Sequence, residues 1–283
     1  MVTIFALAAA VLYGSADFLG GAAARRAPTL AVVMVSVSFG ALIMLPAAML
    51  AGGPLQAAGV GWAVAGGSVG AVGLIVFYQG LAAGPMSVVA PLSALVSTLL
   101  PVAVALAAGE RQGPAVYAGA LICLGAIVLI SMESPAAGRR QRSHRAARAI
   151  GYGAASGLAF GLYFLFLRNA GESGVLWPVA EARLAGTAVM TVAAIWQRAR
   201  PGWRSIGLRI LLAAGLSGVI DAAANLCYVA ATRAGLFGVA VILTSLYPGI
   251  TVLLARFVLG ERMRLVQRLG LTLAAAGVIL VTV

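Results

Sequence analysis

The chain has 283 residues, 62% of them hydrophobic and 9% charged, a mean hydropathy of +1.05 and a formal net charge of +12. Soluble domains carry roughly 25% charged residues, so a soluble globular protein is excluded, and the alternating pattern of a spanning β-barrel is absent. All the basic residues are arginine, and in so apolar a chain they orient spans in a bilayer rather than mark a nucleic-acid surface.

Ten apolar stretches of spanning length, about 20 residues each, run at 2–21, 29–51, 57–81, 86–108, 115–132, 150–168, 175–196, 207–230, 236–258 and 265–283. The first lacks the basic leader of a secretory signal and is expected to stay as a helix. It contains YGSADFLGG, residues 13–21, in which Asp17 is the one charge. An ionised carboxylate in hydrocarbon costs about 2.5–3.5 kcal/mol on insertion scales. Asp17 is therefore either a gate or entry residue, or a surface-facing partner for the nearby Arg25 and Arg26. In the third span, Gly66 and Gly70 have the spacing of close helix packing. The fourth span holds Ser93, Ser97 and Thr98 between Pro91 and Pro101. Its hydroxyls either repair a proline kink or line a bendable cavity wall.

Between the fifth and sixth spans lies ESPAAGRRQRSHRAAR, residues 133–148, read as a cytoplasmic anchor. It contains the only histidine, His144, away from any buried chemistry. The seventh span carries Glu181 and Arg183 in PVAEARLAG; two apart on a helix, they do not face each other. Asp221 is a candidate partner for Arg183, whose other reading is a clamp on a substrate carboxylate. In the eighth span IDAAANLCY sets Asp221, Asn225 and Tyr228 at i, i+4 and i+7, on one stripe. A carboxylate, an amide and a phenol there could recognise a substrate or a proton, or could simply pack helices through hydrogen bonds. The ninth span has Thr244, Ser245 and Tyr247 just before Pro248, matching the polar stretch of the fourth. Cys123 and Cys227 are expected to be small core residues, with neither a disulfide nor a metal site between them.

The linker divides the chain into five spans and five. Three landmarks recur at one offset of 151 residues: Gly84 and Gly235, the Gly-Glu-Arg triplets with Glu110 and Glu261, and Gly119 and Gly270. The expected fold is an all-α polytopic membrane protein of ten transmembrane helices, arranged as two five-helix repeats. An odd helix number inverts the second copy, an arrangement found in secondary transporters with a midplane site. The repeats are placed at 1–132 and 150–283, with 133–149 as the Arg-rich linker. Glu110 and Glu261 follow glycines at helix ends and read as turn residues. Arginines cluster in the loops after spans 1, 5, 7 and 9, which puts the central loop in the cytoplasm and both termini in the periplasm.

These features, with the YGSADFLGG first helix, resemble the EamA branch of the drug/metabolite transporter superfamily over essentially the whole chain. The resemblance implies transport of amino acids, other metabolites, nucleotide sugars, sugar phosphates or drugs, and no cofactor. It also implies a cavity lined by the first, third, fourth, sixth, eighth and ninth helices, which adds Tyr13, Tyr78, Gln79 and Tyr163 to the candidates. An interfacial aromatic belt is the competing account of the tyrosines. Several relatives are described with cytoplasmic termini, the reverse of the arginine bias here. The expected function is export of small polar metabolites, amino acids foremost, by alternating access in a bacterial inner membrane. Partners are a small-molecule substrate, the lipid bilayer and, as a candidate coupling ion, protons; no nucleic acid is expected. The motifs of nucleotide-driven pumps, zinc peptidases and serine hydrolases do not occur, so no enzyme is expected; the alternatives to transport are a non-transporting membrane scaffold and a lipid-acting enzyme that uses only carboxylates.

Overall fold

The computed structural model describes residues 1–53, 55–83, 86–109, 113–130, 139–172, 174–196, 206–259 and 265–282. These residues form helices α1 (Val2–Ala24), α2 (Thr29–Ala51), α3 (Ala57–Ala83), α4 (Met86–Ala107) and α5 (Pro114–Ile130). The second half contributes α6 (Arg139–Gly171), α7 (Leu176–Trp196), α8 (Leu208–Ala234), α9 (Phe237–Thr244), α10 (Tyr247–Leu259) and α11 (Leu265–Thr282). Six described helices are long and apolar enough to cross a membrane, and shorter apolar helices occupy the other four expected spans. In hydrocarbon every backbone N–H and C=O must be satisfied within the chain, which is why apolar stretches of this length become helices.

Two boundaries differ from the expectation. The ninth span is broken into α9 and α10 at Ser245–Leu246. Pro248 has no N–H to donate and falls in the first turn of α10, where a proline is tolerated. The Ser245 hydroxyl donates to Val241 O at 2.6 Å, holding the end of α9. The sixth helix begins inside the expected linker, at Arg139, so residues 139–149 extend it by about three turns. RRQRSHRAAR has neither glycine nor proline and consists largely of good helix formers. Glu110, Glu261 and the arginines at 198, 200, 204, 262 and 264 lie outside the described residues, as do Glu133 and Arg111. Gly109, at φ +88°, takes the left-handed conformation that ends α4.

The helices of the two repeats interleave. α1 packs along α8 and α3 along α6; α2 meets α7 and α8, α3 also meets α7, and α5 pairs with α11. Within a repeat, neighbours such as α1 and α2 touch far less. Two crossings show the internal symmetry atom by atom. A Cβ added at Gly67 of α3 would lie 2.0 Å from Ala182 O of α7, and one at Gly218 of α8 would lie 1.8 Å from Ser36 O of α2. A Cβ at Gly186 would meet Gly67 O at 3.3 Å and Ala71 Cβ at 3.5 Å. At Gly40 it would meet Gly218 O at 3.1 Å and Ala222 Cβ at 3.6 Å. Corresponding residues are 151 apart in α3 and α8 and 146 apart in α2 and α7, so these crossings are two copies of one joint. Only glycine lets the backbones approach so closely.

Large apolar side chains cover much of the outside, among them Leu42, Leu50, Val192, Leu212 and Phe257, as a surface bathed in lipid requires.

Candidate functional site

Where α1, α6, α7 and α8 converge, polar side chains meet far from either helix end. Asn225 of α8 is fully buried, and its Oδ1 accepts hydrogen bonds from Tyr13 Oη of α1 at 2.5 Å and Tyr163 Oη of α6 at 2.6 Å. Its Nδ2 donates to Asp221 O at 2.7 Å and reaches Asp221 Oδ2 at 3.4 Å. An amide has two acceptor lone pairs and two donor hydrogens, so Asn225 is saturated. It therefore holds three helices in register and has nothing left for a ligand. One turn earlier on α8, Asp221 Oδ2 accepts from Arg183 Nη2 and forms a salt bridge between α7 and α8. The Arg183 side chain is 8% exposed and that of Asp221 27%, so the carboxylate is the more open member of the pair. Arg183 Nε is buried and has no hydrogen-bond partner.

This cluster forms one side of a cavity of about 80 Å³, room for several waters. Tyr13 and Asp17 of α1, Arg183 of α7 and Asp221 of α8 line it. Val37 of α2, Gly70 and Leu74 of α3, and Phe160 and Phe164 of α6 also line it. Tyr163 and Tyr247 complete an aromatic enclosure, in which Tyr13 stands edge-on to Phe164 at 5.9 Å and to Tyr247 at 6.3 Å between ring centres. Asp17 thus faces the interior and shares a cavity with Asp221; among the described residues no arginine pairs with it. Gly70 lets the wall approach the Tyr163 ring, since a Cβ there would sit 2.8 Å from its Cδ2.

Other sequence candidates lie elsewhere. Tyr228 shares the stripe of Asp221 and Asn225, but it is fully buried behind the cavity, donates to Phe164 O at 3.1 Å and packs against that ring at 4.8 Å, tilted by 41°. Tyr78 is buried where α1, α3 and α8 meet, over Gly20 and hydrogen-bonded to Ser217. Its neighbour Gln79 points outward from α3 and is exposed, because the two are one residue apart on a helix. Ser93 accepts a hydrogen bond from Ser156 at 3.0 Å, joining α4 to α6. Ser97 is buried and donates to Ala94 O at 3.0 Å. Thr98 and Ser245 meet at 2.5 Å, tying α4 to the broken span. Glu181 is half-buried on α7 and is not part of the cavity wall. Cys123 and Cys227 are free thiols. Among the described residues no group of three His, Cys, Asp or Glu could hold a metal ion.

The apolar wall was not singled out from sequence: Val37, Leu74, Phe160 and Phe164 look like any other core residue. The available signal was the duplication, for Phe160 and Phe164 stand 147 residues after Tyr13 and Asp17, in the register that aligns Gly14 with Gly161.

A family model described as the EamA-like transporter family matches residues 1–132 and 147–283. No curated protein is matched by the chain. A solved structure, titled only as the crystal structure of a protein, is 19% identical and superposes with a TM-score of 0.81 over 100% of this chain and 98% of its own. At that identity the likeness shows a shared fold and nothing about the ligand.

Proposed function

Because the chain belongs to the EamA-like transporter family of the drug/metabolite transporter superfamily, and so is a multi-pass membrane transporter, we propose that it is a secondary transporter exporting small polar metabolites. Amino acids come first among these. The supporting observation is the salt bridge of Arg183 and Asp221 on the wall of a cavity enclosed by helices from both repeats. Charges held at this depth are costly and mark substrate or ion pathways. The cavity would open alternately to the two faces of a bacterial inner membrane, driven by a gradient or by the substrate's own concentration difference. In this reading the duplicated units are 1–132 and 150–283, the linker 133–149 is cytoplasmic, and both termini are periplasmic. Protons are proposed as the coupling ion, with Asp17 and Asp221 as the carboxylates within reach.

The test is efflux from proteoliposomes loaded with labelled amino acids, nucleotides or sugars, with recovered material checked for chemical change. Unaltered amino acid should leave faster than from protein-free vesicles, and Asp221→Asn should slow it at least about tenfold. If every load is retained as in protein-free vesicles, the transport reading fails. If efflux proceeds but ignores an imposed pH gradient, only the proton coupling is lost.

A further inference from the structure

The duplication that builds the cavity also allows its two walls to be compared residue by residue. By the registers of the α1/α6, α2/α7 and α3/α8 pairs, Tyr13 corresponds to Phe160, Asp17 to Phe164, Arg183 to Val37, Asp221 to Gly70, and Asn225 to Leu74. In each pair the polar member lies on α1, α7 or α8 and the apolar member on α6, α2 or α3. Nine of these ten residues line the cavity, and Asn225 lies behind the wall. The glycine joints recur in both copies while these five lining positions differ in polarity; Tyr163 of α6, whose counterpart is Ala16 of α1, runs the other way. The cavity thus offers both polar groups and apolar surface.

Among the polar groups on the wall, one carboxyl has no ion-pair partner among the described residues. Arg183 and Asp221 cancel each other, and Asn225 has no free hydrogen-bonding position. Asp17 remains, and no described arginine pairs with it. Around it the enclosure is aromatic, with Tyr13, Tyr163, Phe164 and Tyr247 on the wall. Ring faces attract cations, and desolvation inside a cavity strengthens that attraction. Arg183 gives Nη2 to Asp221 and keeps a buried Nε without a partner, but its charge is already matched, so an anionic ligand would have to compete with Asp221 for it.

We propose that the cavity binds an organic ammonium ion carrying an apolar, preferably aromatic, group. The ammonium sits between Asp17 and the tyrosine rings, and the apolar group lies against Leu74, Phe160 and Val37. This inference rests on the transport reading and narrows its substrate class. Among amino-acid-like molecules the ammonium and the apolar side chain carry recognition, and a carboxylate adds nothing. A decarboxylated amine therefore binds at least as well as its parent amino acid.

The experiment is calorimetric titration of the detergent-purified full chain with a matched series: phenethylamine, phenylalanine, 3-phenylpropionate, 2-phenylethanol and ethanolamine. Phenethylamine should bind at least as tightly as phenylalanine and at least about tenfold more tightly than 3-phenylpropionate or ethanolamine. Asp17→Asn should bring phenethylamine down to the level of 2-phenylethanol, without changing the affinity for that alcohol, and Asp17→Glu should restore the difference. The proposal is overturned if phenylpropionate or phenylalanine binds and phenethylamine does not, since Arg183 would then be receiving a carboxylate. It is equally overturned if ethanolamine matches phenethylamine, or if none of the series binds. These readouts are independent of flux: binding in the expected order without efflux would remove the transport reading alone, and efflux of polar loads without it would remove this inference alone.

Discussion

At the scale of single residues the cluster is a chain of obligations. Two tyrosine hydroxyls depend on Asn225 Oδ1, its amide nitrogen holds Asp221, and Asp221 neutralises Arg183. Removing one partner of a buried ion pair leaves an uncompensated charge and costs about 3–5 kcal/mol, whereas replacing both by apolar groups of similar volume is often neutral. Arg183→Met and Asp221→Leu should therefore each lower the melting temperature of the detergent-solubilised protein by several degrees, and the double variant should recover most of the loss. Additive losses in that double-mutant cycle would show that the two side chains are not coupled. Asp221, Asn225 and Arg183 were legible in the sequence because a membrane makes every buried polar group conspicuous. Their division of labour was not. The three-residue stripe of α8 sends Asp221 to the cavity edge, buries Asn225 behind it and turns Tyr228 onto the α6 backbone, and helical spacing alone does not separate these fates.

At the scale of helices, the joints between α3 and α7 and between α2 and α8 set how closely the cavity walls approach. A methyl group at Gly67 or Gly218 would collide with a backbone carbonyl, and neither helix could absorb it by rotating a side chain. Overpacking of this kind costs about 1–3 kcal/mol. Gly61, in the same helix as Gly67, has nothing within 4 Å of an added Cβ. Its change to alanine should be neutral or stabilising by up to about 1 kcal/mol. Thermal melts of Gly67→Ala, Gly218→Ala and Gly61→Ala compare these positions directly, and equal behaviour of all three would rule the joints out as contact points. The sequence located the helices well, since twenty-residue apolar stretches admit no other spanning structure for this chain. It did not locate the break between α9 and α10. Pro46 sits inside an unbroken α2 and Pro248 beside a break, so the outcome depends on neighbours such as Val241 and Thr98 that lie elsewhere along the chain or in space.

At the scale of the whole molecule, the repeats are units of sequence and not of packing. The duplication at an offset of 151 residues was readable, yet each repeat buries its helices mainly against those of the other. The alternating motion proposed above would therefore divide the bundle along other seams than the linker. A chain cut within 131–138 and expressed as two separate pieces should be recovered as one complex only when both are made together, with each half alone degraded; a stable, monodisperse first half would contradict the interleaving. There is also a consequence for synthesis. The Ser217 hydroxyl donates to Ala16 O at 2.8 Å across 201 residues, and Tyr13 meets Asn225 across 212. At roughly 5–20 residues per second, the first helix waits on the order of 10–40 s in the membrane before α8 exists to receive it. Throughout that interval Asp17 has no cavity to occupy. The carboxyl that finally lines the cavity must first be carried through assembly by water, lipid headgroups or the insertion machinery.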